Sequence, residues 1–287
     1  MKILKVSIYN TLILLLISCN TSSHNVQSPL NQHEWTLLFN GKNLGGWESY
    51  LGPKYNEQAG DFAGERMGLN NDPDGVFSVT EEDGQPVIHI SGKHFGCIAT
   101  KEEFENYHLQ LQFKWGQEKY IPRKKSKRDS GVLYHSHGPH GAGWFFWMAA
   151  QEFQIQEGDC GDYWSLLSDV DANVVVNPDT TYTYNKKGTS RFFGPHGGLR
   201  GHVIRSENAE KPFGEWNTLD LYTFGASSIH KVNGKIVMVL HNSRQKVNDE
   251  LIPLTKGKIQ LQSEGSEIFF KNVKLEKISA LPDIENN

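Results

Sequence analysis

The chain has 287 residues, which allows one large β domain or two smaller ones. Hydrophobic residues make up 37% and aromatic residues 11%, enough to form a core, and the 28 glycines and 7 tryptophans suit a turn-rich all-β protein. The formal net charge of −4 does not provide the basic footprint of nucleic-acid-binding proteins, so we expect no nucleic-acid partner.

The N-terminus has the pattern of a secretory signal. Two lysines precede a short apolar run at residues 12–17, which is too short for a membrane span. The sequence Leu-Ile-Ser-Cys at residues 16–19 resembles the bacterial lipobox, whose cysteine becomes lipidated after cleavage. We predict a lipoprotein signal peptide over residues 1–18, lipidation of Cys19, and a secreted bacterial lipoprotein anchored to the cell membrane in the periplasm or at the outer surface. A plain secretory signal is the alternative, and a polar tether follows at residues 19–33.

From residue 34 onward, short strand patterns alternate with turn signals. Period-2 alternation is clearest over residues 107–115, and Asn233-Gly234 is a strong hairpin signal. Further strands are predicted at residues 34–39, 76–79, 86–91, 97–100, 170–176, 216–224, 228–232, 235–240, 257–263 and 268–275. No amphipathic helix of ordinary length and no internal repeat is visible. We predict an all-β sandwich or barrel forming one domain at residues 34–278, with a C-terminal tail at residues 279–287.

Two irregular segments are interpreted as loops. Residues 50–75 are rich in Gly, Asn, Asp and Pro and show little periodicity, which indicates a long surface loop. Residues 119–128 are strongly basic, and we interpret them as a solvated loop, with an anion site as the alternative. Cys97 and Cys160 could pair in an oxidising exterior, or each could be a lone buried thiol.

A polar strand in the middle of the chain is the first candidate for a functional surface. At residues 152–157, Phe153 and Ile155 point to one side, while Glu152 and Gln154 point to the other. The strand follows an aromatic run, so its polar face could form the floor of a sugar cleft. An ordinary solvated strand face would show the same alternation.

Five segments in order resemble the 3-keto-disaccharide hydrolase family, over about residues 34–278. They are WTLLFNGKNL with GW at residues 35–47, DSGVLY at 129–134, EFQI at 152–155, GEWN leading to HKVNG at 214–234, and GKIQLQ with FKNV at 257–273. The resemblance implies a concanavalin A-like β-sandwich, or jelly roll, of two curved antiparallel sheets. It also implies action on glycosides whose sugar carries a ketone at C3, and a partner oxidoreductase that makes this ketone.

The polar strand departs from the pattern of glucanases with this fold, which usually carry Glu-x-Asp-x-x-Glu or Glu-x-Asp-x-Glu. Such enzymes use two carboxyl groups about 5 Å apart. Here Glu152 matches the first Glu, Gln154 replaces the Asp, and Glu157 matches the second Glu only in the longer version, which needs a bulge.

A 3-keto sugar requires less, because its ketone acidifies the proton at C2. A base that removes this proton makes an enolate, the enolate expels the C1 oxygen by β-elimination, and water then adds. We therefore predict a hydrolase or lyase of 3-keto glycosides, with Glu152 as base or metal ligand and Gln154 as hydrogen-bond donor to the substrate. The alternatives are a non-catalytic lectin-like module and an ordinary glucanase that uses Glu152 and Glu157.

Other residues are candidates for metal or sugar binding. His135 and His137 lie two apart on a predicted strand and would share a face, so with Glu152 they could hold a divalent metal ion; surface histidines are the alternative. No cofactor is certain. The substrate-binding candidates are His135, Trp144, Trp147, Trp164, Lys231 and Arg200. Aromatic faces stack on sugar rings, but several of these rings could equally belong to the core.

Overall fold

The computed structural model describes residues 34–284. The predicted signal peptide, Cys19 and the tether lie outside the described residues, so these remain predictions.

Within residues 34–284 the chain forms strands joined by turns and no α-helix. The strands in chain order are β1 (Thr36–Leu37), β2 (Trp47–Pro53), β3 (Arg66–Leu69), β4 (Phe77–Glu82), β5 (Gln85–Ile90), β6 (Gly96–Thr100), β7 (Phe104–Glu105), β8 (Tyr107–Lys119), β9 (Asp129–His137), β10 (Ala149–Gln156), β11 (Tyr163–Leu166), β12 (Asp169–Val176), β13 (Tyr182–Tyr184), β14 (Thr189–Phe193), β15 (His202–Val203), β16 (Asn217–Phe224), β17 (Ser227–Val232), β18 (Lys235–Val247), β19 (Glu250–Pro253), β20 (Lys256–Ser263) and β21 (Ser266–Lys277). In this part of the chain no helix could cross a membrane.

The strands form two antiparallel sheets, which confirms the predicted β-sandwich. The twelve-stranded sheet has the order β13-β12-β18-β17-β16-β8-β21-β5-β4, with β14 on β12, β19 on β18 and β1 on β21. The nine-stranded sheet has the order β15-β11-β10-β9-β20-β6-β2-β3, with β7 on β20. Some neighbours are consecutive in the chain, such as β16, β17 and β18, whereas others, such as β8 with β21 and β9 with β20, are far apart in sequence, so the fold also depends on long-range pairing.

The core lies between the two sheets and follows the alternation of the strands. Every second side chain of β8 from Tyr107 to Trp115 is buried there. From the nine-stranded sheet, Phe153 and Ile155 enter the same cluster. Burying a side chain of this size contributes about 1.5–3 kcal/mol, so the alternation fixes which face of each strand is left for function.

A histidine contact joins the two sheets inside this core. His230 of β17 stacks on Phe153 of β10 with ring centroids 4.1 Å apart, and its Nε2 lies 3.1 Å from the Tyr134 hydroxyl. Burial lowers the pKa of His230 to about 3, so the ring is neutral at physiological pH. Its Nδ1 lies 3.5 Å from the Gly161 carbonyl oxygen, so the contact combines aromatic packing with a hydrogen-bond partner at each ring nitrogen.

The loop prediction for residues 50–75 is wrong at residues 50–53 and 66–69, where β2 and β3 pair with each other. Leu51, Gly52 and Pro53 are all buried, so the end of β2 is covered on both faces and shows no alternation. A side chain at Gly52 would meet the Phe146 ring at 2.2 Å, which explains a glycine within this strand.

Residues 281–284 of the predicted tail pack on the domain. Leu281 and Ile284 contact a second buried cluster built around β12, β14 and β18. The Ile284 carbonyl oxygen accepts a hydrogen bond from Lys186 Nζ at 2.9 Å. The described part of the predicted tail thus extends the packing of the domain.

The two cysteines are both free and buried. Cys160 lies in the core between the sheets, whereas the Cys97 thiol on β6 donates to Gln260 Oε1 at 3.0 Å. Burial raises the pKa of both thiols, so neither is a ready nucleophile. Of the two alternatives left open by the sequence, lone buried thiols are the one observed.

Candidate active site

The outer face of the nine-stranded sheet, called the site face below, carries the polar side of β10. Since Phe153 and Ile155 point into the core, Glu152 and Gln154 point outward onto the site face. Yet neither is solvated, and Glu152 is only 4% exposed. The strand is therefore not an ordinary polar surface.

Part of the site face is closed by an aromatic cluster, which consists of Tyr50, Phe95, Cys97, Leu133, Phe146, Trp147, Ala150 and Leu166. Trp147 belongs to this cluster, is 4% exposed and donates its indole N–H to the Gly96 carbonyl oxygen at 2.8 Å. The prediction of Trp147 as a sugar-stacking residue is therefore wrong, because its ring is buried in the aromatic cluster and its hydrogen bond holds the segment before β10 on the sheet.

The side-chain ends of Glu152 and of Gln262 (β20) come together over the backbone of Gly131 (β9). A Cβ atom at Gly131 would lie 2.4 Å from Glu152 Oε1 and 2.8 Å from Gln262 Oε1. Gly131 is the cross-strand partner of Gln154, so these side chains surround one point on the sheet. The glycine is required for space, because any side chain here would displace the carboxyl group.

Two more carboxyl groups and one cation lie beside this point. Arg123, from the loop after β8, forms an ion pair with Asp129 of β9, and its Nη1 lies 3.3 Å from Glu264 Oε1. Gln156 Nε2 also donates to Asp129 at 2.6 Å. The guanidinium of Arg123 thus lies near three acidic groups. Asp129 and Glu264 form ion pairs with it, whereas Glu152 does not.

This imbalance raises the pKa of the acidic groups. Burial raises the pKa of Glu152 well above its usual value, and the charges of Glu264 and Asp129 raise it further, against smaller opposing effects of Gln262 and Arg123. Burial raises the pKa of Asp129 to about 6, and it raises the pKa of Glu264 as well. The cluster therefore retains protons at pH values where surface carboxyl groups are ionised.

Several polar atoms at this point have no hydrogen-bond partner within residues 34–284. They are Gln154 Oε1, Gln262 Oε1 and Asp129 Oδ1, all buried. Buried polar atoms without a partner are costly and cluster at functional sites. Here they surround Glu152 and can accept hydrogen bonds from hydroxyl groups of a ligand.

Glu157 does not join the site. The register of β10 against β9 is regular from Gln151 to Gln156, so there is no bulge to turn Glu157 toward Glu152. Instead Glu157 forms an ion pair with Arg128 at 3.2 Å, and its side chain is 37% exposed. The two-carboxylate arrangement considered for Glu152 and Glu157 is therefore absent.

His135 lies on the core side of β9, away from Glu152, so the predicted metal site of His135, His137 and Glu152 is wrong. The pairing of β9 with both neighbouring strands is interrupted near His135, which has φ of 51°. This bulge directs His135 toward Tyr107 of the opposite sheet, where burial lowers its pKa to about 3. His135 therefore neither binds substrate nor joins a metal site with Glu152, and no cluster of three metal-ligating side chains occurs among residues 34–284.

The other substrate-binding candidates lie in different places. Trp164 of β11 is directly opposite Glu152, but its ring already stacks on His202 at 4.0 Å and contacts the Arg200 guanidinium at 4.8 Å. Trp144 is 56% exposed near Arg200. Lys231 lies opposite Asp220 in the twelve-stranded sheet. The residues on either side of Asp220, Leu219 and Leu221, enter the core. Lys231 therefore faces away from the site, and its prediction is wrong.

Sequence reasoning missed four residues of the site: Arg123, Asp129, Gln262 and Glu264. The alternation of polar and apolar residues at the end of β20 was a usable signal for Gln262, and Asp129 begins a segment that the resemblance had already marked. Arg123 was hidden in the basic run that we interpreted as a solvated loop. Nothing in its sequence context distinguishes it from the neighbouring lysines.

Glu152→Gln is expected to stabilise the fold at neutral pH. A carboxyl group with a raised pKa in the folded state holds more protons there than in the unfolded state, so stability falls as pH rises above the unfolded value. Removing this group should raise the unfolding free energy at pH 7 by about 1 kcal/mol or more, since a tenfold change in proton affinity corresponds to about 1.4 kcal/mol. The gain should shrink toward zero near pH 4. Denaturant titration at both pH values measures it.

Glu157→Gln is the matched control for this measurement. Because Glu157 is partly exposed, its loss should change stability by less than about 1 kcal/mol. A Glu152→Gln protein less stable than the parent at pH 7 would contradict the raised pKa.

No curated protein matches the chain. Two structures of proposed glycosyl hydrolases from Parabacteroides distasonis are 21% and 22% identical, each over 85% of this chain and over 94% and 100% of theirs, both with a TM-score of 0.47. A carbohydrate-binding module, CBM66 from Bacillus subtilis, is 8% identical over 70% of this chain and 92% of its own, with a TM-score of 0.41. These values carry no functional inference.

The family comparison extends over nearly the whole domain. The sequence pattern described as the 3-keto-alpha-glucoside-1,2-lyase-like domain matches residues 34–276. This range includes both sheets, except for the last residue of β21, and all residues around Glu152. The chain therefore belongs to the 3-keto-alpha-glucoside-1,2-lyase-like domain family.

Proposed function

We propose that the protein cleaves the glycosidic bond of 3-keto glycosides by removing the C2 proton with Glu152. The observation that carries this proposal is the position of Glu152, buried beside Gln262 above Gly131 and without a direct ion pair. A carboxylate with a raised pKa is a stronger base than a surface carboxylate, which suits it to take a proton from carbon next to a ketone.

The neighbouring groups have separate tasks in this reaction. The Gln154 amide donates to the C3 oxygen as negative charge develops there, and the positive charge of Arg123 stabilises the same enolate through space. The unpaired oxygens of Gln262 and Asp129 accept hydrogen bonds from sugar hydroxyl groups. The enolate then restores the C3 carbonyl, forms a C1–C2 double bond and expels the C1 oxygen.

The two other functions receive less support from the site. A retaining glucanase requires a second carboxyl group placed across the C1 carbon from Glu152, and Glu157 is bound to Arg128 instead. A lectin-like module has no need of a buried carboxyl group that destabilises the fold. The proposed reaction also requires a separate oxidoreductase that forms the ketone at C3.

Glu152→Gln should abolish cleavage of a 3-keto disaccharide while leaving its binding intact. The amide keeps the size of the side chain but cannot accept the proton, so turnover should fall by about 10²-fold or more. Product formation from a plain disaccharide and from its 3-keto form, with Glu157→Gln as control, is the measurement. Near-normal turnover by Glu152→Gln would remove Glu152 from the mechanism. Cleavage of the plain sugar would favour the glucanase, and binding without cleavage the lectin-like module.

Gly131→Ala should reduce activity with little change in stability. The new methyl group would collide with the ends of the Glu152 and Gln262 side chains, which can shift without moving the backbone. A displaced base is expected to reduce turnover by about 10²-fold. Gly46→Ala is the control, because a methyl group there meets only the Leu38 carbonyl oxygen at 3.9 Å. Full activity of Gly131→Ala would mean that the observed position of Glu152 is not needed.

A further inference from the structure

A cavity of about 510 Å³ lies on the site face beside the polar cluster. Its floor includes Leu166 of β11, which is opposite Ala150, while Trp164 of the same strand is opposite Glu152. Leu166 and Trp164 point to the same side of the sheet, so the floor lies about 7 Å along the face from the proposed base. A group attached to the C1 oxygen of a sugar held at Glu152 would reach this cavity.

The lining of the cavity differs in chemistry from the cluster around Glu152. It is mainly apolar, with Trp144, Leu166, Leu167 and Leu199, and contains no carboxylate and no side-chain amide. The Ser165 hydroxyl already donates to the Ser168 carbonyl oxygen. A sugar ring requires several hydrogen-bonding partners, whereas this lining offers an indole, leucine side chains and one cation, Arg200.

The Trp144 wall is held in a strained conformation. Trp144 and Phe145 have φ of 47° and 75°, where residues other than glycine are uncommon. The backbone is fixed by the Gly143 N–H, which donates to the Trp147 carbonyl oxygen at 2.8 Å, and by the buried Trp147 ring. Strain that exposes a tryptophan at a cavity is typical of functional segments.

The opposite wall is fixed as well. Asp169 is fully buried and accepts hydrogen bonds from the His196 backbone N–H at 2.9 Å and from its Nδ1 at 2.7 Å. This anchors the segment from Gly194 to Arg200, which supplies the second wall. Both walls are thus set before a ligand arrives, which lowers the entropy cost of binding.

We propose that this cavity binds an aromatic leaving group, so that 3-keto aryl glycosides are cleaved in preference to 3-keto disaccharides. The inference rests on the proposed function and names its substrate class. Trp144 stacks on the aryl ring, and Arg200 lies beside the oxygen that receives negative charge.

The chemistry of an aryl group fits the acid–base groups of this site. Glu152 takes the C2 proton, and the C2–H electron pair becomes the enolate. The enolate reforms the C3 carbonyl and the C1–C2 double bond, while the C1–O electron pair leaves with the aryl oxygen as phenolate. A phenolate is a much weaker base than a sugar alkoxide, so it departs without a general acid, and the cavity lining contains none.

The test compares the 3-keto forms of a 4-nitrophenyl glucoside, as both anomers, with a 3-keto glucose disaccharide. We expect the parent to have a kcat/KM at least about tenfold higher for the aryl substrate. Trp144→Ala should lose about tenfold on the aryl substrate and less than about twofold on the disaccharide. Trp216→Ala is the matched control, because Trp216 lies against Lys271 and Lys114 on the other sheet, and it should change neither value.

Equal losses on both substrates, or no loss in Trp144→Ala, would overturn the cavity proposal and leave the proposed function standing. If the parent cleaves neither 3-keto substrate, the proposed function fails. In that case calorimetric binding of phenyl glucoside tests whether the cavity is an aromatic subsite. Weaker binding to Trp144→Ala than to the parent and to Trp216→Ala would support an aromatic subsite. Equal binding to all three proteins would overturn it.

Discussion

The carboxyl group of Glu152 is held out of water on a face of the sheet that would ordinarily be solvated. Two neighbouring acidic groups repel its charge, and the nearest guanidinium is bound by those neighbours. Burial and repulsion of the carboxylate reduce the stability of the folded state. The strand register imposes this loss, because it fixes the side of the sheet to which Glu152 points. Phe153 and Ile155 must enter the core, and a shift by one residue would bury Glu152 and Gln154 there.

The remaining features of the site follow from this placement. Gly131 provides the space in which Glu152 and Gln262 meet, and the Arg123 loop brings one positive charge to three acids. On the other side, buried Trp147 closes the aromatic cluster while strained Trp144 stays exposed. A rigid sheet thus carries a polar half suited to an oxidised sugar and, by our proposal, an apolar half for its leaving group.

Much of the fold could be predicted from sequence, because alternation and turn signals depend on neighbouring residues. Residues 107–115 and the Asn233-Gly234 hairpin match β8, β17 and β18. The errors arose where spatial neighbours decide the outcome. The end of β2 is buried on both faces, and the bulge at His135 reverses the face of that side chain, so neither follows local periodicity.

The site residues also divide into those that local alternation predicts and those that depend on spatial neighbours. The shared face of Glu152 and Gln154 followed from alternation, and so did the doubt about Glu157. Arg123 lies in the loop after β8 and Glu264 in the turn between β20 and β21, and the pairing of β8 with β21 and of β9 with β20 brings them together. The burial of Trp147 and the exposure of Trp144, three residues apart, depend on one turn of backbone.

The most direct test of the account is the isotope effect on the C2 hydrogen. A 3-keto glucoside carrying deuterium at C2 would compete with its unlabelled form in one reaction, and the ratio of products gives the effect on kcat/KM. The account predicts slower cleavage of the deuterated substrate, because the C2–H bond breaks when Glu152 takes the proton. Equal rates, with no exchange of C2 hydrogen in recovered substrate, would contradict it.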